Sequence, residues 1–287
     1  MTGLNFSGVW AIDETAEGLL RDAMIRGAFQ PSLTGISQQA QAQSGIGPMA
    51  ADRVAQAYMD YLSMGANRNV AMIPIYGVMS RNSTYDNLFS NEFLIRMIRA
   101  VIEDESKVGA IVDVKSGGGS VDSADELADA IAELRQAKPV VAQVTFGASA
   151  ALWAYSQSTE IQVSGGPLAR VGSIGTIYMH VNQAKALEQA GLNVKIFRSA
   201  GSKDKASLND IEPLTPEQEA AIQADLNAAN KLFKSYVRRG RGNKIASDEV
   251  FTGKMYNAQN AIRLGLADRV GTIDSAYKRV IQLSKSK

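Results

Sequence analysis

From Asn69 onward, short apolar runs rich in β-branched residues alternate with stretches of helical period. VAMIPIYGV (70 to 78), VGAIVDV (108 to 114), PVVAQVTF (139 to 146) and EIQVS (160 to 164) read as strands, with NVKIF (193 to 197) as a further one. Between them the apolar spacing predicts helices over 91–104, 123–135, 148–157 and about 182–190. Strands apolar on both faces and separated by helices imply βαβ units, hence an α/β fold with a mainly parallel sheet flanked by helices. A long helix opens at Thr215, with a Thr cap, Pro216 at the first helical position and acidic residues in the first turn. Its residues Leu226, Leu232, Phe233 and Val237 form an apolar stripe suited to a neighbouring surface.

Upstream the pattern is looser. Trp10, Ile12, Leu19, Leu20, Met24 and Ile25 recur at roughly helical spacing, so residues 1–30 read as an N-terminal amphipathic segment. Residues 31–68 read as a flexible linker followed by a helix over 51–64, since 31–50 hold Gln, Ser, Gly and Ala with no aromatic residue. The regular region, 69–287, is the main domain.

Composition narrows the chemistry. Thirty Lys plus Arg against 29 Asp plus Glu leave a net charge of +1, which gives no electrostatic case for nucleic acid. The chain has no cysteine, which removes disulfides and thiolate catalysis. The start, MTGLNFSGVWAIDETAEGLL, lacks a secretory pattern, and no window approaches the roughly eighteen apolar residues of a membrane span. A cytoplasmic protein with no membrane span is expected. GxGxxG and the Walker ending are absent, and no cofactor is expected.

Four loops could carry chemistry. KSGGGSVD, Lys115 to Asp122, lies between a strand and a helix, where glycines let backbone N–H groups face a phosphate or an oxyanion. In FGASAALWAYS, Phe146 to Ser156, a strand breaks at Gly147 and a helix follows, placing Ser149 at a helix start among small neighbours. Taken alone, Ser149 fits an ordinary helix cap at least as well as a nucleophile. RVGSIGTI (170 to 177) and SAGSKDK (199 to 205) follow as further glycine-punctuated loops. A loop lysine is usually a solvated charge and becomes a base only where burial lowers its pKa. His180, the one histidine, lies in IYMHVN, which reads as a strand, with no carboxylate near in sequence to orient it.

In order, these pieces resemble the S49 serine peptidases, the signal peptide peptidase A family, which shares the ClpP and crotonase fold. SGGGSV looks like that family's Ser-Pro-Gly-Gly-Ser-Val loop, GASAALWAYS like its nucleophile segment, and VGSIGTI like Thr-Gly-Ser-Ile-Gly-Val-Ile. SAGSKD is similar to Ser-Gly-x-x-Lys-Asp, and the likeness runs on through FKSYVRRGRG and VFTGKMYNAQNAIRLGLADRVG, over roughly 70–280. FSGVWAIDETAEGLL resembles the start of the phage capsid-assembly proteases of the family. Three departures stand out: Gly117 replaces the usual Pro, Gly201 is shifted by one position, and Leu152 stands where many members have Tyr.

The resemblance implies a serine endopeptidase with Ser149 as nucleophile and Lys203, in preference to the nearby Lys205, as general base. It further implies an oxyanion hole from the N–H groups of Gly118 or Gly119 and Ala150, with Ser173 in support. The expected partners are a polypeptide substrate, such as a capsid or scaffold protein, and copies of the chain in a ring of eight joined by the C-terminal helices. If the source is viral, the location would be the host cytoplasm or the prohead. Two rivals are a crotonase-type acyl-CoA enzyme, which would use Glu or Asp, and a non-catalytic assembly protein of the same fold.

Overall fold

The structure is a computed structural model that describes residues 10–12, 48–82 and 89–286. In chain order the elements are β1 (Trp10–Ile12), α1 (Pro48–Leu62), β2 (Val70–Met79), α2 (Asn91–Glu103), β3 (Gly109–Ser120), α3 (Ala124–Ala137), β4 (Val140–Ala148) and α4 (Ala150–Tyr155). They continue with β5 (Glu160–Val163), β6 (Arg170–Gly172), α5 (Ala184–Gln189), α6 (Pro216–Arg241), β7 (Met255–Tyr256), α7 (Ala258–Arg263), β8 (Arg269–Val270) and α8 (Ile273–Ser284).

The strands form one eight-stranded sheet. Its heart is parallel: β2 pairs with β3, β3 with β4, and β4 with both β5 and β6. Among the described strands, β1 on β3 and β7 on β6 run antiparallel. Val112, Val114, Ala142 and Val144 face a large core under α2, α3, α4 and α6. Ile111 and Val141, one residue out of phase, face a smaller core with Ala276 and Val280 of α8. The period of two along each strand thus supplies both faces, as the unbroken apolar runs require.

Helix boundaries follow local chemistry. Ser90 caps α2 by accepting the Phe93 N–H at 3.3 Å, and Thr215 caps α6 in a capping box with Gln218. Among the described residues no helix is long and apolar enough to cross a membrane.

The structure departs from the sequence reading in several places. Trp10–Ile12 is a strand rather than part of a helix, because the free edge of β3 supplies a ladder for it. NVKIF is not a strand: no sheet edge reaches it, and Leu192, Val194 and Phe197 are exposed, Phe197 by 90%. The segment around His180 is likewise outside any strand. The α6 stripe divides: Phe233 and Val237 are buried in the chain's own core, which leaves Leu232 exposed. The expected linker over 31–47 and most of the N-terminal amphipathic segment lie outside the described residues.

Candidate active site

The sheet delivers its candidate nucleophile on a turn of unusual backbone. β4 stays paired to β3 as far as Gly147 opposite Ser116, and to β6 as far as Ala148 opposite Gly172. The chain then enters α4 through Ser149, at φ 56° and ψ −123°. A non-glycine residue there costs about 1–3 kcal/mol and persists only where its surroundings hold it. Here they do. The Ser149 N–H donates to Gly172 O at 2.9 Å and the Trp153 N–H to Ser149 O at 3.0 Å.

Beneath the turn, Tyr155 Oη donates to Gly147 O at 2.8 Å, and a Cβ on Gly147 would lie 2.8 Å from that ring. Glycine is needed at 147 for this ring to pack, and burial pushes the Tyr155 phenol well above its ordinary range.

Ser149 is fully buried, and its Oγ makes no hydrogen bond among the described residues. The hydroxyl does not cap α4. The bland explanation of a serine at this place is therefore unsupported, and a buried polar atom without a partner needs another. Ala148 and Ala150, both fully buried, flank it with small side chains.

The glycine loop ends β3. Gly118 has φ 95°, and its N–H donates to Ser116 Oγ at 3.1 Å. Ser116 Oγ in turn donates to Gly77 O at 2.6 Å, bridging β2 and β3. The Gly118 amide, an expected oxyanion donor, is thus held by a side chain that the sequence reading did not single out. Gly119 lies against β2 so closely that a Cβ there would sit 2.1 Å from Met79 O. Ser173 adjoins Gly172, the residue that fixes Ser149; it has φ 57° and donates its N–H to Lys254 O at 2.9 Å.

Lys203 is elsewhere. Its side chain is 78% exposed and pairs with Asp204 at 3.3 Å, while Lys205 is exposed beside it. The loop carrying both has a scaffold of its own, also missed in the sequence. Arg198 donates to Lys205 O at 2.6 Å and Ala206 O at 3.0 Å and grips Glu212 with two bonds. Hydrogen bonds from Arg198 and then Asn209 lower the Glu212 carboxyl to about 2. His180 gains no support as a base: its Nε2 is buried without a hydrogen-bond partner among the described residues.

Known proteins resemble this chain in sequence and in fold. The model of peptidase family S49 matches residues 132–287, more than half of the chain. The head-tail preconnector protein GP5 of Enterobacteria phage P21 is 27% identical over 206 residues, 70% of this chain and 40% of that protein. Capsid assembly protease C of Escherichia phage lambda is also 27% identical, over 70% of this chain and 46% of its own length. The chain thus spans less than half of each of these two relatives. Among solved structures, an enoyl-CoA hydratase from Shewanella pealeana is similar at a TM-score of 0.46 and 15% identity, covering 82% of this chain and 78% of that one. The family match takes in the Ser149 turn, the Ser173 loop and the lysine loop together, and by it the chain belongs to peptidase family S49.

Proposed function

We propose that the chain is a serine endopeptidase in which Ser149 attacks a peptide carbonyl and Lys203 serves as general base. The carrying observation is the Ser149 turn: a strained, fully buried serine whose hydroxyl makes no hydrogen bond among the described residues. Ser149 Oγ gives its proton to the amine of Lys203 as it bonds to the carbonyl carbon. The oxyanion is met by the N–H groups of Gly119 and Ala150, and by Gly118 once its bond to Ser116 yields. The leaving amine takes the proton, and water then hydrolyses the acyl-enzyme by the same route in reverse. The small side chains around Ser149 favour small or apolar residues at the scissile bond.

In the chain alone Lys203 does not meet Ser149, so the dyad closes on assembly. The segment bearing the lysine exposes Val181, Leu192, Val194, Phe197 and Leu208, an apolar surface that a second copy would cover. A ring of such copies, eight by resemblance, is the proposed form. The substrate is a capsid or scaffold protein, a reading supported by the capsid assembly protease among the relatives. The acyl-CoA alternative has less support, since no acidic side chain hydrogen-bonds Ser149 Oγ among the described residues.

The test is labelling with a serine-directed phosphonate beside cleavage of a denatured protein. Wild type should label and cleave, Ser149→Ala should do neither, and Lys203→Ala should not cleave. Mixing Ser149→Ala with Lys203→Ala chains should restore cleavage if the dyad forms between copies. Failure of wild type to label or cleave at any concentration would overturn the peptidase reading.

A further inference from the structure

The free edge of the glycine loop is already occupied, and by the chain's own N-terminal region. Gly118 and Gly119 pair with Val78 and Met79 on one edge and with Ile12 and Ala11 on the other. The second edge is the one β4 uses, but β4 holds it only as far as Ser116 opposite Gly147. There β4 turns away to form the Ser149 turn, and β1 takes over the vacated edge, antiparallel, at Gly118, Gly119 and Ser120.

That edge is where a substrate backbone would have to lie. A peptide whose carbonyl is attacked by Ser149 and polarised by the glycine loop runs along β3 just past the end of β4. An exposed sheet edge captures an extended peptide through its main-chain groups. The loop cannot retreat to make a second place, because Gly119 is already packed on the Met79 backbone. Substrate and β1 therefore compete for one edge. β1 is three residues long, short enough to be displaced.

We propose that Trp10–Ile12 is a built-in occupant of the substrate strand, which an extended polypeptide must displace before Ser149 can act on it. The inference rests on Ser149 being the nucleophile. Because the occupant is part of the same chain, its local concentration is high and does not fall on dilution. A strand closed about nine-tenths of the time would lower the apparent affinity for peptides about tenfold.

The experiment compares three full-domain proteins: the whole chain, a chain lacking residues 1–12, and the whole chain with Ala11→Pro and Ile12→Pro. Of two successive amides in a strand one faces the neighbour, so the double proline removes a ladder donor in either register. Each is treated with a small phosphonate, which needs no strand, and with a peptidyl phosphonate, which does.

The expected result is equal labelling by the small reagent and about tenfold faster labelling of both variants by the peptidyl one. Equal rates with the peptidyl reagent would overturn the inference and leave the nucleophile standing. No labelling of any protein by either reagent would overturn the nucleophile and the inference with it. A second measurement uses Ser149→Ala at full length with saturating substrate peptide. Amide exchange at residues 10–12 should rise, and unchanged protection there would also overturn the inference.

Discussion

At Ser149 the backbone is strained, so the chemistry proposed there would come at the expense of stability. Ser149→Ala and Ser149→Gly should both abolish cleavage, but glycine accepts φ 56° at little cost, so the Gly variant should be about 1 kcal/mol more stable than the Ala variant in thermal melts. Lys203→Arg should be inactive, because a guanidinium does not deprotonate near neutrality, while Lys205→Ala should cleave normally. A dead Lys205→Ala beside an active Lys203→Ala would move the base by two positions. The small neighbours of Ser149 were legible in the sequence. Its strain was not, since that depends on Gly172 O, a tertiary contact. Nor was Ser116, which reads as one more polar residue before the glycines yet ties Gly77 O to the Gly118 amide. The grip of Arg198 on Glu212 spans 14 positions of irregular chain, where no periodicity announces a partner.

Among the elements, those with two buried faces or a buried stripe were legible, because burial and period coincide. β2, β4 and β5, with the helices between them, fall close to where their apolar runs place them, whereas β3 runs on to Ser120 through residues that read as a loop. NVKIF shows the converse: β-branched composition makes a strand only where another strand offers a ladder. Trp10–Ile12 errs the other way, an apolar pair within an apparent helical period that the open end of β3 draws into the sheet. The join between α6 and the site is aromatic. Trp153 of α4 stacks on Phe233 with centroids 4.8 Å apart and planes within 10°. Trp153→Ala should cost roughly 3–5 kcal/mol by denaturant unfolding, whereas Leu232→Ala, on the exposed side of α6, should cost little.

Across the whole molecule, one buried ion pair joins the end of α6 to the sheet. Arg241, 3% exposed, donates to both oxygens of Asp268 at 3.0 Å, and Asp268 also accepts the Ile161 N–H at 2.7 Å. Burial opposes ionisation of Asp268, but Arg241, Lys244 and the Ile161 amide outweigh it and lower the carboxyl to about 2. The folded value lies below the unfolded one near 3.8, so this stabilisation is present above pH 3.8 and lost as pH falls toward 2. Asp268→Asn should flatten that part of an acid-unfolding curve and cost roughly 3–5 kcal/mol at neutral pH, because Arg241 is left buried without its counter-charge. Light scattering should find a closed assembly at micromolar concentration, and Phe197→Asp should dissolve it. The Arg198–Glu212 clamp meanwhile keeps the lysine loop in shape while it stands clear of Ser149. On the proposed reading, in which the exposed Lys203 must reach the buried Ser149 from a second copy, crowding would be the trigger: sparse chains would stay dormant, and a packed compartment would arm them.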